Sequence, residues 1–179
     1  MSTAEPASSS KCEAGILYCC GLAKFGCLPV AAACVDKSGE CCYPAPVKFP
    51  APHVRIVTVS DDMGIVGAID DEGWLWGFAR ADSCVPTAPT RLQANVTAVA
   101  VGASFIAFIS DNCCFQIGDG PAETGAPLPS SASRAAASST VRAAPIECGP
   151  ARDVAACNNS MLVLLHDGSV WSCGEAVTR

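Results

Sequence analysis

Apolar residues in this chain come in short runs broken every six to eight positions or so, a spacing that suits strands and argues against long helices. The clearest unit is VAACNNSMLVLLHDGSVWSCG, from Val154 to Gly174. It predicts a short strand, a turn at Asn158-Asn159, an apolar strand Met161 to Leu165, a tight turn at Asp167-Gly168 and a strand Val170 to Cys173 that ends on Gly174. Asp-Gly between two apolar runs predicts a type I′ hairpin turn, because both residues tolerate positive φ. The same layout recurs from Val59 to Ala79, with Glu72-Gly73 at the turn and Leu75-Trp76 in the outgoing strand. It recurs again from Val99 to Asp119, with Asn112-Cys113 at the turn and Phe115 in the outgoing strand. A partial copy, AGILYCCG over 14–21, begins at the turn and keeps only the outgoing strand. The equivalent positions Gly15, Gly73, Cys113 and Gly168 stand 58, 40 and 55 residues apart. Recurrence of one hairpin changes the reading of the whole fold, because a repeated unit and a single irregular domain are built differently.

The repeated residues resemble the regulator-of-chromosome-condensation repeat, whose unit reads roughly V-A-x-G-x-x-H-S-x-A-L-x-x-D-G-x-V-Y-x-W-G. The last copy matches in register at Val154, Ala155, Leu162, Leu164, Asp167, Gly168, Val170 and Gly174. The opening copy matches at Gly15, Leu17, Tyr18 and Gly21, then at Gly26 and Leu28. Pro46-Val47, Pro89-Thr90-Arg91-Leu92 and Pro145-Ile146 resemble the proline-led strand that follows. The copies are degenerate. Ile65-Val66, Phe105-Ile106 and Ser160-Met161 replace the usual His-Ser pair, and Cys20, Phe78 and Cys173 replace the usual Trp.

The resemblance implies an all-β fold, a partial β-propeller of about three degenerate four-stranded units, with an unrelated sandwich or barrel as the alternative. Counted from turn to turn, the periods run 15–72, 73–112 and 113–168 within a repeat region 11–179. The chain starts and stops on the same strand type, Leu17-Tyr18 and Val170-Trp171. Three units make an open arc: a piece of a longer chain, a half-propeller completed by a partner, or an open structure. Residues 1–10 read as a small polar tail. Residues 120–144, rich in Ala, Ser and Pro, read as a flexible insertion between strands.

Composition narrows the function. Half of the 179 residues are hydrophobic and 16% are charged, which excludes global disorder. The formal charge is -6, and no Lys/Arg cluster offers phosphates a surface, so nucleic acid is not expected as a direct partner, nor is an anionic membrane. The longest apolar stretch, Gly15 to Val35, is broken by Lys24, Gly26 and Pro29 and predicts no transmembrane helix. The first ten residues lack the basic start of a signal peptide, so a cytoplasmic or nuclear location is expected. Asn95-Val-Thr97 and Asn158-Asn-Ser160 fit the glycosylation pattern, which matters only in a secreted chain.

Thirteen cysteines stand out. Cys20, Cys27, Cys34 and Cys41 recur every seventh position, and Cys19-Cys20, Cys41-Cys42 and Cys113-Cys114 are adjacent pairs. No C-x-x-C is present and the histidines are His53 and His166, so a zinc site is not expected. Buried free thiols acting as small hydrophobes are the expected role. Neither histidine has a nucleophile motif beside it, and His166 is expected to be solvated at its turn. No phosphate-cradling Gly-x-x-x-x-Gly-Lys loop or calcium loop occurs. Asp61-Asp62 and Asp70-Asp71-Glu72 flank one hairpin; they read as solvated turn carboxylates, with a cation site or an acid/base pair as the alternative. No catalytic residue, cofactor-binding residue or metal ligand is therefore expected. The resemblance implies a non-enzymatic scaffold that binds a protein partner through blade loops, or alternatively a guanine-nucleotide exchange factor for a small GTPase such as Ran. Association through open sheet edges is expected if the chain is complete.

Overall fold

The alternation of apolar and polar positions becomes strand after strand. The computed structural model describes residues 15–22, 37, 40–51, 54–62, 64–79, 85–120 and 143–174, and all regular structure among them is β. The chain opens with a two-stranded sheet, β1 (Tyr18–Leu22) and β2 (Glu40–Pro46). Next comes a four-stranded antiparallel meander of β3 (Ile56–Asp62), β4 (Ile65–Asp70), β5 (Leu75–Ala79) and β6 (Thr90–Gln93). A second follows, of β7 (Val96–Val101), β8 (Phe105–Ser110), β9 (Cys113–Gly118) and β10 (Ala144–Ile146). The last sheet has three strands, β11 (Ala151–Cys157), β12 (Ser160–Leu165) and β13 (Val170–Gly174).

The repeat is visible in the backbone where the sequence is degenerate. Each sheet's first hairpin carries an irregularity at the same place: between Ile56 and Thr58, Val96 and Ala98, and Ala151 and Asp153. A bulge bends its strand and increases its twist, so the first strands of these three sheets bend alike. A second repeated device ties neighbouring sheets. The first residue of each such strand donates its N–H to the turn of the preceding sheet: Ile56 to Gly15 O (2.7 Å), Val96 to Gly73 O (2.9 Å) and Ala151 to Asn112 O (2.7 Å).

Two turns differ from expectation. At Asp167-Gly168 the positive φ falls on Gly168 alone (88°), with Gly168 N–H donating to Leu165 O and Leu165 N–H to Ser169 O. This is a three-residue loop closed by a left-handed glycine, not a type I′ turn, and Asp70 to Trp74 with Gly73 (φ 79°) repeats it. The type I′ form occurs at Asp111-Asn112 (φ 50° and 62°), where Ser110 pairs with Cys113. The turn there is thus one residue earlier than the motif suggested, because Cys113 already belongs to β9.

Sheets stack face to face, with β3, β7 and β11 on the inner side of the arc. Ile65, Ile69 and Leu75 of one sheet pack on Val99, Ile106 and Phe108 of the next. Phe105, Ala107 and Ile109 on the opposite face of β8 pack on Val154, Met161 and Val163. Both faces of β8 are therefore covered, and all six of its residues are buried. The first hairpin contributes Leu17 beside Ile56, Ala68 and Trp76. Outer strands take the prolines: Pro46 ends β2 and Pro145 lies in β10, edge positions where a missing N–H is tolerated.

Several expectations fall wholly or partly outside the described residues: the tail 1–10, His53, Cys12, Cys27, Cys34 and Cys84, with Gly26 and Leu28 of the opening copy. Of the insertion 120–144, residues 121–142 lie outside them, whereas Ala144 already opens β10.

Candidate interaction rim

The turns joining the first and second strands of successive sheets all emerge on one rim of the arc, since every sheet has the same strand sense. Asp61 and Asp62 end β3, Gly102 to Ser104 connect β7 to β8, and Asn158-Asn159 connect β11 to β12. Hydrogen bonds donated by backbone N–H groups run from turn to turn. Asn158 N–H donates to Asp62 Oδ2 (3.2 Å) and Ala103 N–H to Asn158 O (2.9 Å). Just below, Val101 N–H donates to Ser60 Oγ (3.0 Å). The contact is close enough to require glycine. A Cβ on Gly102 would lie 2.2 Å from the Phe105 ring and 2.5 Å from Asn158 O. Asn158 itself takes the left-handed conformation, φ 51°, which asparagine tolerates better than most residues. Asp119 joins the rim, its N–H donating to Ser104 O (3.1 Å) while Ser104 Oγ donates to Asp119 O (2.7 Å).

The rim is thus a hydrogen-bonded platform carrying Asp61, Asp62 and Asp119. None of the residues 61–62, 64, 101–104, 118–120 and 157–160 is Lys or Arg. Its carboxylates sit on turns that neighbouring sheets hold in place, a geometry suited to presenting charge to a partner.

The opposite rim holds the other acidic group, and here the expectation of solvated carboxylates needs correction. Asp70 is buried. It accepts hydrogen bonds from Glu72 N–H (3.0 Å), Trp74 N–H (2.8 Å) and the Trp76 indole Nε1–H (2.7 Å). It closes the turn and anchors an indole whose ring meets Phe49 edge-on at 5.0 Å. Glu72 is exposed and pairs with Arg91 at 3.4 Å, whose guanidinium lies 5.0 Å from the Trp74 ring centroid and 5.1 Å from that of Trp76. The two acidic groups occupy opposite ends of the β3–β4 hairpin, with Ile56 opposite Asp70 and Asp62 opposite Ile65. At about 3.4 Å per residue the strand keeps them far too distant to share a cation or act as an acid/base pair.

His166 is exposed near the Asp167 turn, its Nε2 3.3 Å from Asn112 Oδ1. Ser169 donates its hydroxyl (2.6 Å) and its N–H (2.9 Å) to Asp167 Oδ1, and these bonds hold the Asp167 carboxyl below its ordinary range. The thiols divide. Cys41 and Cys114 are buried as expected, but Cys20, Cys113 and Cys157 are exposed, because the strand alternation turns them to the solvent side or a turn end. Cys114 packs between the last two sheets with Cys148 and Cys173 against its cluster. Burial, then the neighbouring Cys148 and Cys173, push the Cys114 thiol up to about 12. Burial also raises Cys148 and Cys173. Among the described residues no group of His, Cys, Asp and Glu is arranged to hold a metal, and no helix is long and apolar enough to cross a membrane.

The sequence matches no protein-family model and no curated protein. Solved structures do match. Human WBSCR16 superposes with a TM-score of 0.66 at 18% identity over 90% of this chain and 44% of its own. Yeast RCC1 (Prp20), solved with Kap60 bound to it, gives 0.67 at 17% over 89% of this chain and 42% of its own. Prp20p of Saccharomyces cerevisiae, whose structure was described with its binding properties to Gsp1p and histones, gives 0.66 at 16%, over 90% and 43%. The chain folds as an arc of an RCC1-like β-propeller. It spans less than half the length of these propellers, and at such identity the likeness establishes the fold alone. Within the RCC1-like arc, the sheets begin one hairpin earlier than the turn-to-turn periods. Gly73, Cys113 and Gly168 each fall between or at the second and third strands of a sheet. What sequence reasoning missed is the convergence of Asp61, Gly102 and Asn158. They belong to three different sheets, and only the shared strand sense and stacking bring them together.

Proposed function

We propose that this chain is a non-enzymatic interaction scaffold, cytoplasmic or nuclear, that binds a protein partner with a basic surface through the acidic rim. One observation carries the reading: three turns from three successive sheets are tied together by backbone N–H groups, one donating to the Asp62 carboxylate and one to the Asn158 carbonyl, and with Asp119 they present Asp61, Asp62 and Asp119 on one side. A preformed surface binds without the ordering cost that a flexible loop incurs. A net charge of -6 would steer a basic partner toward the chain. The yeast propeller of this fold whose structure was described with binding to histones supports a basic protein as the probe.

The test uses immobilised wild-type chain and purified histones at two salt concentrations. Asp61→Lys with Asp119→Lys should weaken capture at least about tenfold, and added salt should weaken it further. Asp167→Lys on the opposite rim should leave it unchanged. Equal capture by the two variants would overturn the assignment of the rim. A second reading, guanine-nucleotide exchange, is favoured by the described binding of Prp20p to Gsp1p. Release of a fluorescent GDP from a panel of small GTPases tests it, and no acceleration across the panel would exclude it.

A further inference from the structure

Four thiols converge where the last two sheets meet. Cys113 and Cys114 open β9, Cys148 stands in the turn between β10 and β11, and Cys173 lies in β13. The backbone sets Cys148 beside Cys114. Ile146 pairs with Cys114 in register, and Cys148 N–H turns back to donate to Ile146 O (3.0 Å). At the far end of the same turn, Ala151 N–H donates to Asn112 O (2.7 Å). The turn that holds Cys148 is thereby fixed at both ends alongside Asn112, Cys113 and Cys114.

The two thiols differ in exposure. Cys114 is fully buried in the cluster that contains Ile109, Ile146, Ala151 and Met161, whereas Cys148 packs half-buried against the edge of that cluster. They are hydrogen-bonded to each other. Burial raises both thiols; the shared bond raises Cys114 further and offsets part of the rise at Cys148, which makes Cys114 the donor. Such a bond stabilises a thiolate at Cys148, the sulfur that solvent reaches. Cys148 is therefore placed to react first and Cys114 to follow.

We infer that Cys114 and Cys148 form a reversible disulfide by exchange with small-molecule disulfides, a redox-controlled clasp on the outer strand β10. The Cys148 thiolate attacks one sulfur of the oxidant, which gives a mixed disulfide and releases one thiol. Cys114 then attacks Cys148 Sγ and the second thiol leaves, each cysteine proton passing to a departing thiolate. The two cysteines lose two electrons and two protons, and the oxidant is reduced to two thiols. The bridge encloses residues 115–147, most of them the Ala-, Ser- and Pro-rich stretch, and a bridge across so long a loop restricts the unfolded chain. In the folded chain it ties down a strand of three residues, in which Pro145 has no N–H to donate and Ile146 is buried against the last sheet. The inference rests on the packing of the last two sheets and is independent of the acidic rim.

The test exposes the full chain to glutathione disulfide, blocks remaining thiols with N-ethylmaleimide and digests with trypsin. Cleavage after Arg91, Arg134, Arg142 and Arg152 leaves Cys148 as the one cysteine of 143–152, and Cys113 and Cys114 as those of 92–134. Mass spectrometry should find these two peptides joined, and dithiothreitol should separate them. Cys113→Ser should keep the bridge, whereas Cys114→Val should lose it and leave Cys148 joined to glutathione. Oxidation should raise the urea midpoint of the wild type, reversibly, and leave that of Cys148→Ser unmoved. Cys114→Ala serves if Cys114→Val fails to fold, as judged by circular dichroism. A Cys148 that stays free, one bridged to Cys173, a bridge that survives Cys114→Val, or an equal urea shift in Cys148→Ser would overturn the inference.

Discussion

Asp70 and Asp62 look alike in sequence, each beside another acidic residue at the end of a strand. Asp62 reaches the backbone of the β11–β13 sheet at the rim, past the sheet between them, while Asp70 is buried and serves three N–H donors. Asp70→Ala removes both acceptor oxygens of these three hydrogen bonds and leaves the buried Trp76 indole N–H unpaired. A loss of about 2–3 kcal/mol is expected, read from urea unfolding followed by tryptophan fluorescence. A change below about 1 kcal/mol would mean that water replaces the carboxylate without penalty. The signal for this role was present, an Asp three residues before the turn Gly73 and six before a Trp. Choosing it over solvation required knowing that Trp76 faces inward.

At the scale of elements, the Asp-Gly and Asn turns were legible because left-handed φ is costly for most side chains and cheap for Gly and Asn. Their loop lengths were not, because one residue more or less changes the register without changing the local preference. Gly102 shows the limit of local reading. It is required by the ring of Phe105 and by the Asn158 carbonyl of another sheet, neither of which its place in the turn reveals. Gly102→Ala should cost roughly 1–3 kcal/mol by overpacking and should loosen the rim. Amide exchange at Ala103 and Asn158 would then quicken far more than exchange at Val66 or Phe78. Uniform exchange would show that the turns are not coupled.

For the whole molecule, the thiols between the last two sheets link stability to pH. The folded Cys114 holds its proton to about 12 against an ordinary 9.0. The unfolded chain releases that proton first, so stability is intact below about pH 9 and falls between there and pH 12. Raised Cys148 and Cys173 act in the same direction. Cys114→Val should flatten the alkaline fall in unfolding midpoint relative to wild type, and Cys157→Val should not. Equal slopes would show that Cys114 is not shielded. Native-state alkylation should likewise mark Cys113 and Cys157 well before Cys114.

The order of strands, the turn residues and the recurrence of one hairpin were determined by the sequence alone, because strand alternation and positive φ are properties of neighbouring residues. So was the resemblance that placed those hairpins in a propeller. Which faces pack, and so which carboxylate is buried and which thiol is shielded, was decided by the stacking of sheets, whose contacts join residues far apart in the chain. The acidic rim belongs to that second class. It exists because successive sheets repeat the same strand sense and the same bulge, which carries each turn to one side.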